Sequence, residues 1–122
     1  MTITQVYVLY KAPHLTAEQF KHHYETSHAP LVRELVGDKA ELPLLYKRHY
    51  VVKQGDAPPA PGVASVDFDA ITTLVFRDQA AADKFAEVIT RPGNKERAEA
   101  DSAKFLDLSR GGAVLVETSE KF

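Results

Sequence analysis

The sequence contains no cysteine, which excludes disulfides, thiolate catalysis and cysteine-ligated metal. It also lacks a long apolar run. No stretch approaches the roughly 20 residues that span a bilayer, and the N-terminus lacks the basic-then-apolar order of a signal peptide. Neither sign of charge is in excess: 15 Lys and Arg stand against 17 Asp and Glu, a formal net charge of -2. That leaves no electrostatic case for nucleic acid or an anionic membrane surface as partner. A soluble, cytoplasmic protein is the expectation. There is no low-complexity tract and no short repeat of the kind that builds solenoids.

Several chemical signatures are missing too. The five histidines are His14, His22, His23, His28 and His49, and no two sit at the four-residue spacing of a helical zinc pair. Glu25 and His28 form one Glu-x-x-His, but di-iron bundles need two copies and further carboxylates. No metal is expected. Gly111–Gly112 precedes a strand rather than a helix, so it lacks the N–H groups that cradle a phosphate. No serine occupies a Gly-x-Ser-x-Gly elbow. Lys95, Arg97 and Lys104 are interleaved with acids and read as a solvated face.

What is present suits one globular domain over residues 1–122, with 44% hydrophobic and 26% charged residues. Ile3 to Lys11 reads as a first strand. Thr16 and Gln19 have the spacing of a capping box, so a helix starts there and runs to about Val36, where Gly37 ends it. Pro30 biases Ala29 away from helical geometry and predicts a bend. A second strand covers Leu44 to Val52. Its alternation sets Tyr46, Arg48 and Tyr50 on one face and Leu45, Lys47, His49 and Val51 on the other. Lys53 to Asp67 carries Gly55, Pro58, Pro59, Pro61 and Gly62 and reads as a loop, either a lid or a disordered excursion.

Phe68 to Phe76 is a third strand. Asp78 caps a second helix whose stripe is Ala81, Phe85, Val88 and Ile89. After the turn at Arg91–Asn94 comes a short helical stretch with Ala98 and Phe105 inward. The last strand runs from Ala113 to Thr118. This order predicts an α+β fold, the ferredoxin-like βαββαβ arrangement: a four-stranded antiparallel sheet with both helices on one face. The first strand is apolar on both sides (Ile3, Tyr7 and Leu9 against Val6, Val8 and Tyr10), and so is the third. Two helices cover only one face of such a sheet. The other would be a large exposed apolar patch on a monomer, so a homodimer joined through the sheet faces is expected.

The stretch from His22 to Val32 carries the most chemistry. Phe20, Tyr24, His28, Leu31 and Leu35 fall on one helical stripe, which points Tyr24 and His28 at the sheet. An inward imidazole beside a phenol either performs acid–base chemistry or is a satisfied core histidine. His49 joins His28 only if its face of the second strand looks at the helices; otherwise Tyr46 and Tyr50 do. Asp69 either pairs with a histidine or caps a turn. His14, His22 and His23 are expected at the surface.

Tyr24-x-x-x-His28-Ala29-Pro30-Leu31, preceded by Phe20 and following a Tyr- and Leu-rich first strand, resembles the signature of the EthD family. That family takes its name from a protein of ethyl tert-butyl ether degradation. Phe68-Asp69-Ala70-Ile71 with Phe76, and Ala100-Asp101 with Phe105-Leu106-Asp107, resemble it as well. The resemblance implies a dimeric α+β barrel, in which ferredoxin-like subunits pack sheet to sheet. The group is similar to methylmuconolactone methylisomerase and to proteins that cyclise, dehydrate or decarboxylate small aromatic polyketides. In that isomerase a tyrosine and a histidine at this spacing, with a second-strand histidine, line the cavity. Tyr24, His28 and His49 stand at the matching positions, while the isomerase's cysteines have no counterpart.

The resemblance thus implies Tyr24, His28 and His49 as catalytic residues, with Phe20, Leu31 and Asp69 as substrate-binding candidates. The expected activity is that of a cofactor-free isomerase, cyclase or lyase. Its substrate would be a small hydrophobic carbonyl, lactone or aromatic compound in catabolism, such as xenobiotic degradation, or in polyketide-type metabolism. The alternative is a non-catalytic binding protein that supports an oxygenase system, the founding member's role being an accessory one. Haem is not expected, since Gln79 to Thr90 contains no histidine.

Overall fold

Four antiparallel strands form one sheet in the order β2-β3-β1-β4. The computed structural model describes residues 1–53 and 58–120. Its elements are β1 (Ile3–Leu9), α1 (Ala17–His23), a π-helical turn (Tyr24–His28), α2 (Ala29–Val36), β2 (Leu45–Tyr50), β3 (Ala70–Phe76), α3 (Gln79–Ile89), α4 (Asn94–Phe105) and β4 (Gly112–Val116). This is the ferredoxin-like α+β arrangement that the order of apolar patterns predicts.

The helix starts are local chemistry. Thr16 Oγ1 accepts from the Gln19 N–H at 3.1 Å while Gln19 Oε1 accepts from the Thr16 N–H at 2.9 Å, a complete capping box. Asp78 accepts from the Ala81 N–H at 2.8 Å and starts α3. Gly37 closes α2 with φ +54°, its N–H donating to the Arg33 carbonyl. Gly111, at φ +86°, lies so near β1 that an added Cβ would sit 2.3 Å from the Val8 carbonyl oxygen. Only glycine lets the chain enter β4 there.

The bend expected at Ala29 is absent. Ala29 keeps right-handed helical angles (φ -61°, ψ -44°), and its N–H donates to the carbonyl of Tyr24, five residues back. Proline has no N–H to give the carbonyl four residues earlier, and its ring crowds that carbonyl. The helix answers by widening one turn rather than by breaking. In a regular α-helix every fourth residue drifts by about 40° around the axis. The wider turn takes that drift back, and Phe20, Tyr24, His28, Val32 and Val36 share one face. Phe20, Tyr24 and Val36 are buried.

The short helical stretch before the last strand is a 12-residue helix, α4, whose polar surface hides it because only Asp101 and Phe105 are buried. The strands are shorter at their ends than their apolar runs, β3 beginning at Ala70 and β4 ending at Val116. Of the Lys53–Asp67 loop, residues 54–57, Gly55 among them, lie outside the described residues. Residues 58–67 are exposed and without regular structure.

Register sorts the sheet into two faces. Ala70, Thr72, Leu74 and Phe76 of β3 are buried under the helices, opposite Leu9, Tyr7, Gln5 and Ile3 of β1. The other face carries three cross-strand rows: Leu45, Val75, Thr4 and Val116; Lys47, Thr73, Val6 and Val114; His49, Ile71, Val8 and Gly112. It is largely apolar and bears no helix, and its Leu45, Val114 and Val116 are exposed. Beneath the helices the core divides into one cluster around Phe20, Tyr24, Ala70 and Phe105 and a second around Leu74, Phe76, Ala81 and Ala82. Tyr46 touches both clusters.

Candidate functional site

A cavity of about 220 Å³ lies between the two clusters, lined among others by Tyr24, His28, Val32, Tyr46, Thr72 and Phe85. It adjoins a wider vestibule of about 360 Å³. Val32, Tyr46 and Phe85 line both, so they form the throat between chamber and surface. The remaining vestibule wall comes from Glu25, Ala29, Pro30, Arg33 and the Leu42–Pro43 connection.

His28 is brought to the chamber by the π turn and held there from behind. Its Nδ1 lies 2.9 Å from Oδ2 of Asp101 on α4. The carboxylate also accepts from Ser27 Oγ at 2.8 Å and faces His23 Nε2 at 3.1 Å. Asp101 is 6% exposed. Burial alone would raise its pKa, but the hydrogen bonds from Ser27 and His28 and the neighbouring imidazoles outweigh it and hold the carboxyl below its usual range. A carboxylate accepts only, so His28 Nδ1 carries the proton and Nε2 keeps its lone pair. Among the described residues Nε2 has no hydrogen-bond partner. Burial pushes the His28 pKa down; Asp101 opposes this only in part, and the net shift is downward. Near neutral pH the ring is therefore an uncharged base.

Beside it stands Tyr24, 4% exposed, its ring edge-on to His28 with centroids 5.7 Å apart. The Tyr24 hydroxyl shares a 2.7 Å hydrogen bond with Thr72 Oγ1 and accepts from the Tyr46 hydroxyl at 3.3 Å. Burial raises both phenols above the ordinary tyrosine value, which keeps them protonated donors. Above Tyr46, at 4.7 Å from its ring centre, lies the Arg48 guanidinium. Arg48 is bound through both arms to Glu25, at 2.6 and 2.9 Å, and Tyr50 donates to the same carboxylate. Hydrogen bonding from Arg48, against a smaller effect of burial, holds the Glu25 carboxyl below its usual range.

The structure joins Tyr24 and His28 in one cavity and leaves the other candidates elsewhere. His49 projects from the helix-free face beside Ile71, because strand alternation opposes it to the inward set of Tyr46, Arg48 and Tyr50. Phe20 is a fully buried core ring against Tyr24, Tyr50 and Phe105. Leu31 faces a shallow groove towards α4, and the widened turn gives its expected place to Val32. Asp69 accepts from the Lys11 N–H at 2.9 Å and pairs with Lys53 at 3.3 Å, meeting no histidine.

His23, expected at the surface, is stacked on Phe105 with centroids 4.8 Å apart and points at Asp101. Asp101 itself had a legible signal. It lies between Ala98 and Phe105 at helical spacing, and a carboxylate on an apolar stripe calls for a buried partner. Thr72 and the Glu25–Arg48 pair join elements distant in sequence and left no local signal.

Among the described residues no group of His, Asp or Glu could hold a metal ion, and no helix is long and apolar enough to cross a membrane. No curated protein matches the chain. Solved structures do. An ethyl tert-butyl ether degradation (EthD) family protein from Bacillus halodurans C-125 is 20% identical with TM-score 0.60, covering 96% of this chain and 99% of its own. An EthD-like protein from Ralstonia eutropha JMP134 is 18% identical with TM-score 0.57, covering 95% and 89%. A dimeric ferredoxin-like protein of unknown function from Thermobifida fusca YX is 16% identical with TM-score 0.56, covering 97% and 92%. These likenesses carry the fold. The family model of the EthD domain matches residues 12–109, most of the sequence, and includes every residue of the chamber except Tyr7 and Leu9. The chain belongs to the EthD family.

Proposed function

We propose that the protein is an acid–base enzyme of isomerase, cyclase or lyase type. Its substrate would be a small hydrophobic carbonyl, lactone or aromatic compound of catabolic or polyketide-type metabolism. The observation that carries this reading is the Asp101–His28 pair, which leaves an unpartnered Nε2 on a ring that lines a largely apolar chamber beside a buried phenol. Nε2 takes a proton from the carbon next to the substrate carbonyl, and the imidazolium that forms faces the Asp101 carboxylate. The Tyr24 hydroxyl turns from Thr72 to the oxygen on which negative charge develops, while Tyr46 continues to donate to Tyr24. The imidazolium then returns the proton to another carbon, or to a leaving oxygen. Such a transfer calls on no redox group, and a cytoplasmic setting suits a chain without cysteine.

Two copies packing through their helix-free sheet faces belong to the same reading. The three cross-strand rows offer an apolar surface of the kind that a two-fold partner covers. His49 would then lie at the interface rather than in the chamber.

The test is His28→Ala, assayed on a panel of lactones and phenols and followed by NMR of the histidine ring protons. Loss of turnover in a folded protein, with ligand-induced shifts at His28 in the wild type, supports the reading. Retained turnover rules His28 out as the base. Binding without turnover in the wild type favours the accessory alternative.

A further inference from the structure

The chain has six arginines, and five of them pair with carboxylates: Arg48 with Glu25, Arg77 with Glu41 and Asp78, Arg91 with Glu87, Arg97 with Glu34, and Arg110 with Asp67 and Asp107. Arg33 is the exception. Among the described residues its side chain has no ion pair and no hydrogen bond, yet it lines the vestibule. The cause is local. Glu34, next in sequence, is turned away towards Arg97 on α4. Four residues before Arg33 on the same helical face stands Ala29, which offers no carboxylate. The vestibule's own acid, Glu25, is occupied by Arg48 and Tyr50. Glu25 and Arg48 cancel, so the charge left over at the mouth is that of Arg33.

We propose that Arg33 binds a carboxylate on the substrate, which makes the ligand a small ring compound bearing an acid group. The proposal rests on the reading of the chamber as the reaction site and names the class of molecule that enters it. The ring passes the throat of Val32, Tyr46 and Phe85 and lies against Tyr24 and His28. The acid stays at the mouth, where a planar guanidinium with free N–H groups meets it. Arg33 lies five positions after His28, about 7.5 Å along the helix axis. An aromatic or lactone ring with a short acid side arm spans that distance. Everything else around the vestibule is apolar or already paired, so a carboxylate gains more from Arg33 than an uncharged ligand does.

A matched pair of probes tests this: 3-phenylpropanoate and its neutral amide, 3-phenylpropanamide, titrated by NMR into wild type and Arg33→Gln while the His28 ring protons are followed. Wild type is expected to bind the acid at least about tenfold more tightly than the amide, the lower end for a charge-assisted hydrogen bond. In Arg33→Gln the preference disappears while the amide affinity falls far less than that of the acid, and added salt weakens chiefly the wild-type acid complex. Equal wild-type affinity for the two probes, or a preference that survives Arg33→Gln, overturns the role of Arg33. Either result leaves the acid–base reading standing if His28 responds to both probes. If His28 responds to neither, the chamber assignment fails together with the proposal.

Discussion

Asp101→Asn separates a positioning carboxylate from a merely structural one. The amide has the shape of the carboxylate without its charge, and it has one acceptor oxygen where the carboxylate has two. In the wild type those two oxygens serve Ser27 at 2.8 Å, His28 at 2.9 Å and His23 at 3.1 Å. With Asn in place, the NH2 group faces one imidazole. If that ring is His28, the proton must move to Nε2 and the base is lost. If it is His23, the mismatch falls there instead. One donor facing a donor in a buried site costs about 1–3 kcal/mol. The charge has a second effect with a definite sign. Burial lowers the His28 pKa and Asp101 raises it, so burial acts unopposed in the variant and the His28 midpoint falls further. Where the NH2 group meets His28, turnover is expected to drop by about 100- to 10,000-fold, the range for a general base. The assay is an NMR titration of the His28 ring protons beside chemical denaturation and kcat on whichever substrate the panel identifies. A His28 midpoint that stays put or rises, with turnover intact, would refute the electrostatic role of Asp101.

Three further outcomes are expected. Tyr24→Phe leaves Thr72, 2% exposed, without its partner and should cost about 2 kcal/mol; adding Thr72→Val should recover part of that, since removing both polar partners is milder than orphaning one. Strict additivity in denaturation experiments would count against the coupling. Acid stability has one sign throughout. The folded pKa of His28 lies below its unfolded value near 6.5, so the unfolded chain binds the proton first and stability falls as pH drops below about 6.5. Glu25 and Asp101, also depressed, extend the loss below the ordinary carboxylate range; a thermal midpoint that rises on acidification would contradict both assignments. Val6→Asp, in the middle row of the helix-free face, should convert a dimer to a monomer in sedimentation without disturbing the chamber, and an unchanged mass would remove the sheet-to-sheet interface.

The element order was legible because its signals are local: the Thr16 and Asp78 caps, the glycine stop at Gly37 and the alternation within each strand. Alternation alone is blind to direction. It separates Tyr46, Arg48 and Tyr50 from Leu45, Lys47 and His49, but the inward set is decided by a partner on another element. Glu25 supplies it by taking the Arg48 guanidinium and the Tyr50 hydroxyl, while the guanidinium lies over the Tyr46 ring. A histidine attracts a functional reading more readily than an arginine does, and here it lies on the outer face. The same limit hid the role of His23. Its neighbour His22 stays exposed, and only the arrival of α4, with Phe105 for stacking and Asp101 for the proton, distinguishes the two.

Pro30 shows why a strong local rule gave the wrong geometry. The rule says that the residue before proline avoids helical angles, yet Ala29 has them. Breaking the helix at Ala29 would have released Val32, Leu35 and Val36 from the face that Phe20 and Tyr24 occupy. Leu35 and Val36 are 4% and 0% exposed, and burying side chains of that size contributes about 1.5–3 kcal/mol each. That exceeds what one widened turn forgoes in hydrogen-bond geometry. The turn that satisfies the proline also sets Ser27 and His28 side by side on Asp101 while Tyr24 and Glu25 reach the sheet. A regular helix would spread these residues over a different arc. The residues that give the chamber its chemistry therefore depend on the distortion that the proline requires.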